Sequence, residues 1–131
     1  AKDHLCMDGA EVFSFVQTEV PPMIENLLAL AGTSMAAIDW FLFHQPNRFM
    51  LQKLADKMKV PYAKMPMNVV EHYGNSSGVT IPVAIASNLS RQLSTKNHRV
   101  CLAGFGVGLT WCAMLMELGL LQFCEVAEFR G

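Results

Sequence analysis

The apolar positions in the first quarter of the chain recur at helical intervals. Phe13, Val16, Val20, Ile24, Leu27, Leu28 and Ala31 succeed one another mostly at steps of three and four, which stacks them on one helix face. Asp8, with Glu11 three residues later, has the form of a capping box, and Gly32 is a suitable C-terminal stop. Pro21-Pro22 falls in the middle, where each ring removes a backbone donor. The pattern predicts a long, bent helix or two helices in line.

A different rhythm follows. Ile38 to Phe43 is almost wholly apolar, with a small-residue loop before it and His44-Gln45-Pro46 after it, as expected of a parallel strand buried on both faces. Leu51, Leu54 and Met58 then share a helical stripe with Asn47, which can cap the first turn; Pro61 sets the end near Lys59. Met67 to His72 is a candidate strand ending at Tyr73-Gly74. Ser76 or Ser77 can cap a third helix bearing Ile81, Ile85 and Leu89, with Pro82 close enough to its start to be tolerated. After a polar turn at Ser94 to His98, the segments Arg99 to Gly106 and Leu109 to Leu118 read as two strands around a glycine-rich bend, and Cys124 to Phe129 as a small further strand. Helices alternating with strands in this order predict an α/β chain with a mixed sheet.

Composition narrows the function classes. The 131 residues suit one compact domain, and 52% apolar against 16% charged residues is rich for that size, which implies apolar surface hidden against a partner. A net charge of -1, with no basic stretch, argues against nucleic acid. The apolar runs are too short to cross a bilayer and the N-terminus lacks a secretory pattern, so a cytoplasmic protein is expected. Cys6, Cys101, Cys112 and Cys124 form no CxxC pair, and His4, His44, His72 and His98 are scattered; the expectation is reduced thiols and no metal site.

Three strand ends carry polar or flexible residues: His44 to Asn47, Tyr73 to Ser77, and Gly104 to Gly108. In open α/β sheets, ligands gather at the carboxyl ends of strands, so these loops are candidates to meet at one site. Each also has a plain structural reading: His44 as a hydrogen-bonded strand end, Gly74-Asn75-Ser76 as turn chemistry, and the glycines as hairpin geometry. As a set they offer an imidazole N–H, an amide N–H and a backbone N–H, the donors of an oxyanion hole. A nucleophile with a base beside it is missing. Leu109 stands where GxGxxG would need its last glycine, which removes a dinucleotide reading.

These same residues carry a resemblance. Met7-Asp8-Gly9 with Glu11-Val12-Phe13, the run from Asp39 through His44-Gln45-Pro46-Asn47, then Tyr73-Gly74-Asn75-Ser76-Ser77 and Gly104 to Trp111 resemble, in order and spacing, the C-terminal half of the β-ketoacyl-ACP synthase III family. It runs from about residue 4 to about residue 119, leaving the last residues as an unassigned tail. The resemblance implies that residues 1–131 are one thiolase-like half, a mixed five-stranded sheet flanked by helices. It also implies the family's decarboxylating Claisen condensation of acyl-CoA with malonyl-ACP in fatty-acid synthesis.

By that resemblance, His44 and Asn75 stabilise the enolate, the backbone N–H of Val107 binds the acyl oxyanion, and Phe13 and Asn47 line the pantetheine tunnel. It further implies acyl carrier protein and an N-terminal half as partners, a homodimeric parent, and no cofactor beyond the substrates' own pantetheine thiol. The family nucleophile lies in the other half and matches no cysteine here, so the chain alone is expected to be inactive. Val107 replaces a common glycine. Arg48 comes one residue earlier than the family's arginine, about 100 degrees around a helix. Two alternatives stand beside this reading: a non-catalytic interaction domain, and a polyketide-type synthase half of the same fold.

Overall fold

The computed structural model describes residues 7–106 and 108–128. The elements in chain order are α1 (Gly9–Leu30), β1 (Trp40–Phe43), α2 (Arg48–Met58), α3 (Val69–Tyr73), α4 (Thr80–Asn88), α5 (Ser90–Thr95), β2 (His98–Gly106) and β3 (Thr110–Leu118), with one-turn 3-10 segments at 35–37, 62–64 and 77–79.

The first helix is continuous through both prolines. Pro21 cannot bond the Gln17 carbonyl, but the Lys57 ammonium donates to that oxygen at 2.7 Å from α2. The orphaned acceptor is thereby satisfied and the helix does not have to restart. Asp8 caps the N-terminus, its carboxylate accepting from the Ala10 and Glu11 amides, each at 3.0 Å. At the other end Gly32 has φ of 61°, and the Thr33 N–H returns to the Leu28 carbonyl at 3.0 Å, a Schellman-type stop.

The sheet order is β1-β2-β3, with β1 parallel to β2 and β2 antiparallel to β3. Alternate residues of β1 serve opposite faces: Phe41 and Phe43 pack with α1 and α2, whereas Leu42 packs with Leu89, Leu93 and Val100 beneath α4 and α5.

Three strands among the described residues, rather than five, correct the expected sheet. The run from Met67 to His72 contains α3, not a strand. Val69 is its one buried residue, so no alternate set of inward positions exists to hold it in a sheet; the neighbouring buried residue, Met65, lies four positions back. Residues 124–128 form no strand, and Phe129 is outside the described residues. The Ser76 and Ser77 side chains do not cap α4; a 3-10 turn leads into it instead. Part of the supposed polar turn is helix α5.

Candidate active site

His44 leaves the carboxyl end of β1, where its backbone N–H still bonds the Ala103 carbonyl of β2 at 2.8 Å. Its ring meets Phe105 edge-on with centroids 5.6 Å apart, and Nδ1 lies 2.7 Å from the Thr80 hydroxyl. Burial lowers the imidazole pKa below its ordinary value, against a smaller opposing pull from the Ser77 carbonyl. The ring is therefore held toward its neutral form, which keeps one N–H and one lone pair.

Asn75 sits in the loop after α3. Gly74, at φ 71°, ends that helix in a backbone conformation suited to glycine. The Asn75 side-chain oxygen accepts from the Ser77 amide at 3.0 Å, an Asx turn that commits its carbonyl and leaves its NH2 as a donor. Ser77 itself has φ of 54°, a left-handed conformation that side chains other than glycine adopt at a cost.

The two residues share one cavity. About 1100 Å³ of open space is lined by His44, Asn75, Asn47, Thr80, Gly106 and Gly108 among others, including Val12 and Val16 of α1. Asn47 lines it while also capping α2, accepting from the Met50 amide at 2.8 Å. Phe13 turns to Phe49, stacking at 5.7 Å, and is not among the described lining residues. Val107 lies outside the described residues, flanked by the lining glycines. Arg48 pairs with Glu71 at 2.7 Å on the surface.

Two supporting residues escaped the sequence reading. Thr80 is fully buried beneath His44, and buried Gln45 donates to the Phe43 and Pro66 carbonyls at 2.9 and 3.0 Å, tying the end of β1 to the following loop. The only signal was a polar residue at an inward position, which acquires meaning once partners distant in sequence are known.

Among the described residues, no set of three His, Cys, Asp or Glu side chains could hold a metal ion. No helix among them is long and apolar enough to cross a membrane. Cys101 is buried, which pushes its thiol up to about 12, and burial also raises Cys124. Cys112 is exposed on β3; Cys6 lies outside the described residues.

The arrangement is thus a donor pair, one at the end of β1 and one in the loop after α3, on an open cavity suited to holding a negative oxygen. Residues 28–118 match the model of the 3-oxoacyl-[acyl-carrier-protein] synthase III C-terminal family. The chain belongs to that family. Among curated relatives, a β-ketoacyl-[acyl-carrier-protein] synthase III from Porphyra umbilicalis is 37% identical over 88% of this chain and 35% of its own length. Among solved structures, a 3-oxoacyl-(acyl-carrier protein) synthase from Burkholderia xenovorans superposes with a TM-score of 0.89 at 36% identity, covering 95% of this chain and 36% of that one. The priming β-ketosynthase of the R1128 polyketide biosynthetic pathway superposes at 0.76 with 27% identity, covering 87% and 34%. The synthase III C-terminal family fold is α/β and thiolase-like, and this chain has it. It spans about a third of the length of the relatives it matches.

Proposed function

We propose that residues 1–131 are the C-terminal domain of a 3-oxoacyl-ACP synthase III, with the tail from residue 119 outside its catalytic part. His44 and Asn75 stabilise the enolate formed when malonyl-ACP loses carbon dioxide. The observation that carries the reading is the placement of these two donors on one cavity in a chain of this family.

An acyl group first passes from acyl-CoA to a cysteine elsewhere in the protein. Malonyl-ACP then sets its thioester oxygen against the two N–H donors. The bond to its carboxylate breaks, carbon dioxide departs, and the electron pair remains as an enolate whose oxygen the donors hold. The enolate carbon attacks the acyl thioester, the cysteine thiolate leaves, and 3-oxoacyl-ACP is formed. The Val107 backbone N–H serves the acyl oxyanion, while Asn47 and Phe13 serve the pantetheine path. No resident cofactor is needed, because the substrates bring the thiol.

The surface of α4 supports an additional half. Ile81, Pro82, Val83, Ala84, Ile85 and Ala86 make it apolar on nearly every side, yet of its residues only Thr80 and Ala84 are buried. Helices of that composition belong inside a protein. The reading places further chain there and includes a cytoplasmic homodimer served by acyl carrier protein.

The full-length enzyme tests this. His44→Ala and Asn75→Ala should each slow malonyl-ACP decarboxylation roughly 10²- to 10³-fold while leaving acyl transfer to the cysteine intact. An undiminished decarboxylation rate in His44→Ala would overturn it, and covalent acyl transfer from acyl-CoA to the 131-residue chain would refute the absence of a nucleophile. The polyketide-type alternative is favoured by one likeness, to the priming ketosynthase. Preference for a polyketide carrier protein over a fatty-acid one would decide for it.

A further inference from the structure

Three groups meet the Thr80 hydroxyl behind His44, and two of them compete for its one proton. The Thr80 oxygen lies 2.7 Å from His44 Nδ1 and 3.0 Å from the Ser77 carbonyl, and receives the Gln45 backbone N–H at 3.3 Å. A hydroxyl has one proton to give and two lone pairs to offer. The Ser77 carbonyl only accepts; His44 Nδ1 accepts or donates according to its tautomer. Whichever of them takes the Thr80 proton decides where the neutral imidazole carries its own.

The balance favours Nδ1. The Ser77 carbonyl already receives the Thr80 backbone N–H, so it is satisfied without the hydroxyl. His44 Nδ1 is nearer, and an imidazole nitrogen is a more basic acceptor than an amide oxygen. The Gln45 N–H occupies one lone pair of the hydroxyl oxygen, which strengthens its O–H as a donor. Thr80 is fully buried, so water does not compete for the proton.

We propose that Thr80 is a positioning residue: its hydroxyl donates to His44 Nδ1 and fixes the tautomer with the proton on Nε2. This rests on the enolate-stabilising reading for its functional meaning, since a neutral imidazole stabilises a negative oxygen only through a protonated nitrogen facing it. The opposite tautomer would present a lone pair to that oxygen. Thr80, fully buried behind the ring, acts through it.

Histidine tautomers are read directly from long-range 1H–15N correlation spectra of the full-length protein labelled with 15N-histidine, taken near pH 8 where imidazoles are neutral. His44 is assigned by its loss in His44→Gln. The wild type should show protonated Nε2 and unprotonated Nδ1. Thr80→Val, similar in shape but without the proton, should shift the population toward the Nδ1–H form, and Thr80→Ser should recover the wild-type pattern. In parallel, Thr80→Val should lower kcat for malonyl-ACP decarboxylation at least about tenfold, with KM little changed.

An Nδ1–H tautomer in the wild type overturns the proposal. So does an Nε2–H signal that persists in full in folded Thr80→Val. If Thr80→Val does not fold, the wild-type tautomer and the Thr80→Ser spectrum decide. The two readings fail separately. Expected tautomers with undiminished decarboxylation in His44→Gln sink the enolate role but leave the Thr80 assignment standing; slowed decarboxylation with an unchanged tautomer in Thr80→Val does the reverse.

Discussion

The two faces of the sheet are covered unequally. On one, α1 and α2 seal Phe41, Phe43, Leu51, Leu54 and Cys101 into a dry cluster, with α1 reaching across to β3. On the other, α4 and α5 cover a smaller group of Leu42, Leu89, Leu93 and Val100, while much of α4 stays open. The first face holds the larger buried cluster. The second holds the loop from Tyr73 to Val79 and the polar cluster beneath His44, while the cavity itself is also lined by Val12, Val16, Met50 and Phe105 of the first. His44 lies at the seam: its ring packs on Phe105 of the sealed cluster, and its hydrogen-bond partner, Thr80, belongs to the open side.

The largest expected effect tests that inequality with identical chemistry. Leu54 and Leu93 are both fully buried, one on each face. Leu54→Ala should destabilise by about 4–5 kcal/mol and Leu93→Ala by about 3 kcal/mol, since the thinner, partly open layer over Leu93 can collapse further into the space left behind. Urea unfolding measures both; an equal or larger loss for Leu93→Ala breaks the comparison.

Thiol chemistry gives the next contrast. Cys101 is sealed on the covered face with its thiol pushed up to about 12, whereas Cys112 is exposed. Iodoacetamide near neutral pH should modify Cys112 and spare Cys101 until the chain is unfolded, because the thiolate is the reacting form. Mass spectrometry of the modified peptides decides. Rapid modification of Cys101 in the folded protein would mean that this face opens.

Much of the sealed face was legible in the sequence and little of the open one was. The helical spacing from Phe13 to Ala31, the apolar run before His44 and the caps at Asp8 and Asn47 are local signals, and each was found where expected. What the sequence concealed depended on partners far along the chain. Lys57 rescues the Gln17 carbonyl from 40 residues away, and Thr80 meets His44 across 36. Met67 to His72 resembles a strand through its two adjacent valines, although only Val69 is buried and the segment folds as α3. His44 and Asn75 were visible as polar residues at element ends, but that they line the same cavity is a fact of three dimensions.

A smaller effect belongs to the seam. Asn47 both caps α2 and lines the cavity. Asn47→Ala should cost about 1 kcal/mol of stability, and Asn47→Asp or Asn47→Ser should restore most of it, since either keeps an acceptor for the Met50 amide. If all three variants match the wild type in thermal unfolding, the cap contributes nothing.

The smallest effect is the pH dependence of stability at His44. Burial lowers its pKa below 6.5 in the folded state, so between that lowered value and 6.5 the unfolded chain binds more protons than the folded one. Stability must therefore rise with pH across this window. The contribution is fully present above 6.5, is lost progressively as pH falls toward the folded pKa, and falls no further below it. The ring is only partly buried, so solvent keeps the step modest. Urea midpoints measured from about pH 5 to about pH 8 should show it, and His44→Gln, which cannot titrate, should flatten it. A step of undiminished height in His44→Gln would move the effect to another group and leave His44 as exposed, in electrostatic terms, as the open face around it.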